Sequence, residues 1–89
     1  MAKRGKLEII YDILKIIQKN NNLIKPTPLL RKSNISTMRF KEYFSDLVAK
    51  NFVREINHKG EKFISLIDKG FKFLEKYKTI ISFIDEFGL

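Results

Sequence analysis

The 89-residue sequence predicts a mostly helical α+β fold, in which three helices precede a β-hairpin and a longer helix follows it. Three observations support this prediction. Apolar residues recur at helical spacing in three long stretches of the chain. Two shorter apolar runs flank a turn that holds Gly60. Pro28 suits the first turn of a short helix between the first two long stretches.

The first helix is expected to begin at Arg4 or Lys6 and to end before the run Asn20–Asn22. Asparagine tolerates the left-handed backbone that is common at helix ends. The apolar stripe of this helix is broad, which indicates contacts on more than one side. Leu23 and Ile24 are expected to form a short β-bridge or to anchor the loop.

The second helix is expected to have Thr27 as its N-cap and to end near residues 32–34. Ser36 is expected to cap the third helix, which should reach about Asn51 and turn one apolar face to the core. That face comprises Phe40, Tyr43, Phe44, Leu47 and Val48.

The hairpin is expected to pair residues 52–56 with residues 61–66 across a turn at residues 57–60. Asp68 suits the positive end of the final helix, and Gly70 in its first turn suggests close packing against the hairpin. The inward hairpin residues are expected to be Val53, Ile56, Ile64 and Leu66. Two short helices, a hairpin with a basic tip and a return into helix form the order of a winged helix-turn-helix with a two-stranded wing and a long C-terminal helix.

Composition argues against several classes of function. The chain has no Cys and a single His, so no disulfide, cysteine zinc site or histidine-rich metal site is expected. No nucleophile–base pair or phosphate loop is legible, so we expect no enzyme activity, no cofactor and no small-molecule substrate. No apolar run approaches the roughly 20 residues of a bilayer span, and Met1–Lys6 lacks the apolar core of a secretory signal. A cytoplasmic protein without membrane association is expected.

Charge divides the chain into two parts. The formal net charge is +8, and residues 1–67 hold 14 Lys and Arg against 6 Asp and Glu. Residues 68–89 hold 4 of each kind. We therefore interpret residues 1–67 as a winged helix-turn-helix domain that binds double-stranded DNA, and residues 68–89 as a dimerisation helix.

The third helix is the expected recognition helix, because the second helix of a helix-turn-helix enters the major groove. Arg39 suits a bidentate contact with guanine, whereas Glu42 would be repelled by phosphate unless it paired with Arg39 or read a cytosine. A single Arg on the reading surface favours binding mainly through phosphates with low sequence specificity. The candidate DNA-binding residues are Lys3, Arg4, Lys6, Arg31, Lys32, Ser36, Thr37, Arg39, Lys41, His58, Lys59 and Lys62.

The final helix carries two apolar stripes. The first has the spacing of a short coiled coil, so a homodimer is expected, with the final helices antiparallel and the first helix contributing. The alternative is that both stripes fold back onto the first helix of the same chain. The candidate dimerisation residues are Phe73, Leu74, Tyr77, Ile80, Ile81, Phe83, Ile84 and Phe87.

Several motifs resemble those of the small DNA-binding proteins of crenarchaea. They are the start Met-Ala-Lys-Arg-Gly-Lys-Leu-Glu-Ile-Ile, the stretch Ile35–Tyr43, Leu47, and the junction Leu66–Gly70. The resemblance implies a dimeric winged helix joined by an antiparallel coiled coil of C-terminal helices. It also implies an abundant, nucleoid-associated chromatin protein that binds DNA largely without sequence specificity.

Two other functions remain open on the same fold. A sequence-specific transcriptional regulator would leave a defined operator footprint. A protein-interaction winged helix would use its charge on an acidic partner and would bind DNA negligibly at physiological salt. Binding to RNA is also open, since phosphate charge does not distinguish it from DNA.

Overall fold

A computed structural model describes residues 5–89, which form four helices and one hairpin in the predicted order. The predicted Lys3 and Arg4 lie outside the described residues. The elements are α1 (Lys6–Lys19), α2 (Pro26–Ser33), α3 (Thr37–Ala49), β1 (Val53–His58), β2 (Glu61–Leu66) and α4 (Asp68–Phe87). The predicted fold class is confirmed.

The core is centred on α1, which packs against α2, β2 and α4. Its broad apolar stripe explains this position, because a helix with neighbours on several sides needs apolar residues around more than one face. Thirteen apolar residues of the described chain are buried and form one cluster. Its most deeply buried members are Ile9, Ile13, Leu14, Ile17, Leu29, Leu47, Val53 and Ile64.

The loop after α1 is fixed by its asparagines. Asn21 and Asn22 adopt the left-handed backbone, with φ of 61° and 57°. The side chain of Asn22 accepts a hydrogen bond from the Leu66 backbone N–H at 2.7 Å and donates one to the Leu66 carbonyl at 3.4 Å. Ile24 then forms an isolated antiparallel bridge with Ile64. This loop therefore connects the C-terminal end of α1 to the end of the hairpin opposite its turn. The predicted β-bridge is confirmed.

The start of α2 differs from the prediction. Pro26, and not Pro28, occupies the first helical position, and Lys25 rather than Thr27 is the N-cap, with an extended backbone. The reason is that the N–H at a first helical position has no partner in the helix, so proline loses nothing there. At the other end Asn34 takes the left-handed conformation, with φ of 57°, and turns the chain toward α3.

The start of α3 is as predicted. The Arg39 backbone N–H donates to the Ser36 hydroxyl oxygen at 3.2 Å, which caps the helix. Phe40 and Leu47 are buried on its inner face, and the rings of Phe40 and Phe44 stack with centroids 5.7 Å apart. The helix ends at Ala49, two residues short of the predicted end, because Asn51 takes a positive φ.

The hairpin is longer and its turn tighter than predicted. Asn57 and His58 belong to β1, and the turn is Lys59-Gly60, with φ of 52° and 80°. Two-residue hairpin turns with positive φ at both positions match the twist of the strands, which explains the preference for glycine there. Ile56 was predicted to face the core, but it pairs with Phe63 on the outer face of the sheet. Strand side chains alternate, so Val53 and its partner Leu66 face inward and Ile56 cannot.

The first half of α4 packs on the hairpin and on α1. Gly70 lies so close to the Phe52 carbonyl oxygen that a Cβ added to it would sit 2.4 Å away. Leu74 is buried in the core, and the ring centroids of Tyr77 and Tyr11 are 4.7 Å apart. Beyond Tyr77 every residue of the helix is exposed. The two stripes therefore do not both fold onto the first helix, which contradicts that alternative.

Candidate nucleic-acid interface

The outer face of α3 is open to solvent along the whole helix. Each residue of an α-helix advances about 100° around the axis, so positions opposite the buried Phe40 and Leu47 can be assigned. The middle of the outer face consists of Met38, Glu42, Ser45 and Ala49, all exposed. Thr37 and Lys41 line one flank of this stripe, and Arg39 and Asp46 line the other.

The N-terminal end of α3 places polar groups at the helix start. The Ser36 oxygen accepts the cap hydrogen bond, which leaves its O–H free to donate. Thr37 is exposed one residue further on. A helix N-terminus attracts anions through its free N–H groups and its dipole, so both predicted residues lie where a phosphate could be held.

The Arg39 flank brings α1 and α3 together. A shallow cavity of about 390 Å³ is lined by Lys6, Arg39, Glu42, Tyr43 and Asp46. The Arg39 guanidinium carbon lies 6.0 Å from the centroid of the Tyr43 ring. Lys6, predicted as part of a basic arm, therefore lies beside the recognition helix. Lys41 is exposed on the opposite flank.

The last turn of α2 presents Arg31 and Lys32, both exposed. The Lys32 ammonium donates a weak hydrogen bond of 3.3 Å to the side-chain oxygen of Asn20. Neither cation forms an ion pair with any of residues 5–89, so both can contact an external anion.

The wing holds both unpaired and paired cations within the described chain. Lys59 is exposed at the tip, whereas His58 lies in the ladder opposite Glu61. The Lys62 ammonium forms an ion pair of 3.0 Å with Glu55, its diagonal neighbour across the strands. Of the predicted wing residues, Lys59 and His58 thus face solvent without an ion pair to any of residues 5–89, whereas Lys62 has a carboxylate partner.

Two basic residues near the wing escaped the sequence interpretation. Lys25 forms an ion pair of 3.0 Å with Glu61, and its ammonium lies 5.8 Å from the centroid of the Phe63 ring. Arg54 is exposed on the outer face of β1. Both contribute to the excess charge of residues 1–67. The strand register shows the face that Arg54 occupies, and the ion pair with Glu61 places Lys25 beside the wing.

The distal half of α4 exposes a continuous apolar stripe. The Ile80, Phe83 and Phe87 side chains are 54%, 55% and 61% exposed, and the rings of Phe83 and Phe87 pack with centroids 4.8 Å apart. Ile81 and Ile84 are also exposed. We call Ile80, Ile81, Phe83, Ile84 and Phe87 the distal stripe.

Three predicted dimerisation residues make contacts within the chain. Leu74 is buried in the core, and the Phe73 ring packs edge-on against Phe52 and stacks on Tyr77. The apolar spacing of α4 is continuous, so the sequence could not show where contact with the rest of the chain ends. Burial and the carboxylates of Glu8 and Asp12 raise the pKa of Tyr77.

Residues 5–89 contain no group of three or more His, Cys, Asp or Glu side chains that could hold a metal ion. No helix among these residues is long and apolar enough to cross a membrane. The predicted absence of cofactor and enzyme activity stays a prediction.

The sequence matches the winged helix-turn-helix family over residues 3–85. The chain belongs to that family. The helix-turn-helix, the two-stranded wing and the exposed α3 described above are the parts that define this fold.

Three solved structures have the same fold. Sso10a-2, a DNA-binding protein from Sulfolobus solfataricus, is 19% identical with a TM-score of 0.75, over 94% of this chain and 85% of its own. F93 from STIV, a winged-helix DNA-binding protein, is 21% identical with a TM-score of 0.75, over 89% and 91%. SSV1 F-93 is 27% identical with a TM-score of 0.68, over 96% and 99%. The resemblance to small crenarchaeal winged-helix proteins is confirmed at the level of the fold.

A curated relative is an uncharacterized protein of Methanocaldococcus jannaschii. It is 30% identical over 83 residues, which cover 93% of this chain and 36% of the relative. The chain thus spans about a third of the length of the curated relative that it matches.

Proposed function

We propose that this protein binds double-stranded DNA, with α3 in the major groove and the wing against the neighbouring backbone. The observation that carries the proposal is an exposed recognition helix on a part of the chain that holds the whole excess of positive charge. Arg31, Lys41 and Lys59 supply charge from α2, α3 and the wing, and none of them has an ion-pair partner within residues 5–89. Such cations neutralise phosphates and release counterions on binding.

The contacts favour phosphate over bases. The centre of the outer face of α3 offers Met38, Glu42, Ser45 and Ala49, and none of these is a cation. Arg39 lies on the flank, beside the Tyr43 ring, rather than at the centre where bases are read. Affinity would therefore come mainly from backbone charge, with low sequence specificity, as suits a protein of chromosome organisation.

The second part of the proposal is a homodimer formed through the distal stripe. These five apolar side chains are exposed in the single chain, in a helix without the positive excess of residues 1–67. Contiguous exposed apolar surface of this kind marks an interaction site in a protein of this size. Pairing two copies through it would display two recognition helices on one particle.

The experiment is a titration of the protein into random duplex DNA at two salt concentrations, with binding measured by fluorescence anisotropy of labelled DNA. Affinity should fall steeply with salt, with a log–log slope of about −0.9 per phosphate neutralised. Competition with duplexes selected for tight binding measures specificity. A preference above about a thousandfold would favour a sequence-specific regulator, and negligible DNA affinity at physiological salt would favour a protein-interaction module. An RNA duplex of equal length tests the remaining alternative.

A further inference from the structure

Glu42 places a negatively charged side chain on the face of α3 that is proposed to meet DNA, where a protein that only binds phosphates would not need one. It lies at the centre of the outer face, one turn after Met38 and about opposite the buried Leu47. Ser45 and Ala49 continue the same line, and their small side chains let the helix approach the groove floor. If α3 enters the major groove as proposed, the Glu42 carboxylate points at base edges.

Glu42 forms no ion pair within residues 5–89, although it lines one shallow cavity with Lys6 and Arg39. Lys41 directly precedes Glu42 but lies on another flank of the helix. Arg39 turns to the Tyr43 ring, and Lys50 pairs with Asp46 at 3.1 Å. The two wing carboxylates differ in this respect, because Glu55 and Glu61 each hold a lysine at 3.0 Å. Glu42 therefore approaches the DNA without an ion-pair partner from residues 5–89.

A free carboxylate in the major groove is repelled by the phosphates unless a base donates a hydrogen bond to it. The cytosine N4 amino group is a donor that suits a carboxylate, whereas guanine presents only acceptors at its N7 and O6. Adenine has an amino donor at N6, but the acceptor N7 beside it opposes a carboxylate. The carboxylate would thus favour sites that place a cytosine beneath it.

We propose that Glu42 is a specificity-determining residue that selects cytosine at one position of the bound duplex. The inference rests on the proposed DNA binding and adds a base preference to it. A single contact of this kind gives a preference of about tenfold, on the order of 1 kcal/mol. That preference is far below the thousandfold of a sequence-specific regulator, so it is compatible with binding mainly through phosphates.

The test is sequencing of the DNA that the protein retains from a pool of randomised duplexes. Wild type should enrich C·G at one position by about tenfold. Glu42→Ala should reduce that enrichment below about twofold and should tighten binding to random DNA, because one like charge is removed. Glu42→Gln should shift the preference toward adenine, which glutamine reads through N6 and N7.

Glu75→Ala on α4 is the control, since it removes an equal charge from an exposed helix face away from α3. It should leave the enrichment unchanged. Circular dichroism checks that each variant keeps its helices. DNA binding without base enrichment in the wild type, or the same enrichment in Glu42→Ala, would overturn the proposal and leave the proposed function intact. Failure of the wild type to retain any duplex would overturn both.

Discussion

The two halves of α4 have similar apolar spacing but opposite surroundings. In the first half Leu74 is buried and Phe73 packs on Phe52. In the second half Phe83 is 55% exposed and Phe87 61%. Periodicity shows that a helix has apolar faces, and only the length of its neighbours shows how much of each face is covered within the chain. The first half therefore belongs to the body of the fold, and the second is free for another role.

The largest effect on the fold is expected from Gly70→Ala. The new Cβ would lie 2.4 Å from the Phe52 carbonyl oxygen, which is backbone and cannot rotate away. We expect a loss of about 2–3 kcal/mol in the free energy of unfolding. Denaturant titration measures it. Gly5→Ala is the control, because its Cβ would meet nothing within 4 Å. Equal stability of the two variants would show that α4 is not held against the hairpin in this way.

A smaller effect is expected from Asn22→Gly. Glycine keeps the left-handed backbone but removes both hydrogen bonds to Leu66, which leaves a partly buried N–H without its partner. The expected loss is about 1–2 kcal/mol. Asn21→Gly makes the same change of backbone freedom at an exposed residue with φ of 61°. The difference between the denaturation midpoints of the two variants therefore isolates the hydrogen bonds of the Asn22 side chain. No difference would argue against this fastening of α1 to β2.

Tyr77→Phe should change stability only at high pH. The pKa of Tyr77 is raised in the folded chain, so the neutral hydroxyl is favoured there. Below the ordinary tyrosine pKa, about 10, this has no effect. Above it the unfolded chain releases its proton more readily, and stability falls. Thermal melts across that range should show a steeper loss for wild type than for Tyr77→Phe.

The smallest effect on the fold of the single chain is expected from Phe83→Ala with Ile84→Ala. Both side chains are exposed, so their removal leaves the core untouched. The mass in solution should nevertheless fall from that of two chains to that of one. Light scattering measures this mass at a protein concentration on the order of tens of micromolar. Leu23→Ala, at an exposed apolar residue outside α4, should keep the dimer. A one-chain mass for the wild type would end the dimer proposal.

Local chemistry made most of the fold predictable. Ser36, the asparagine run and Gly70 each act through a backbone requirement that the residue type itself reveals. The hairpin turn was misplaced because Asn57 and His58 are polar residues typical of turns, while Lys59 takes a positive φ that lysine rarely adopts.

The candidate site was less predictable, because its properties depend on how elements meet. The Lys62–Glu55 ion pair follows from strand register, and the Arg39 contact with Tyr43 follows from side-chain direction on α3. Neither can be read from spacing alone. The same holds for Leu74, whose place in the core depends on where α1 runs.

The central claim is that the surface formed by α2, α3 and the wing, and not α4, meets the DNA phosphates. The most direct test compares the salt dependence of random-duplex affinity for two variants of equal charge change. Arg39→Ala with Lys41→Ala should reduce the log–log slope by about 2. Lys72→Ala with Lys76→Ala, on the exposed face of α4, should leave it unchanged. A reduced slope for the α4 variant together with an unchanged slope for the α3 variant would contradict this claim.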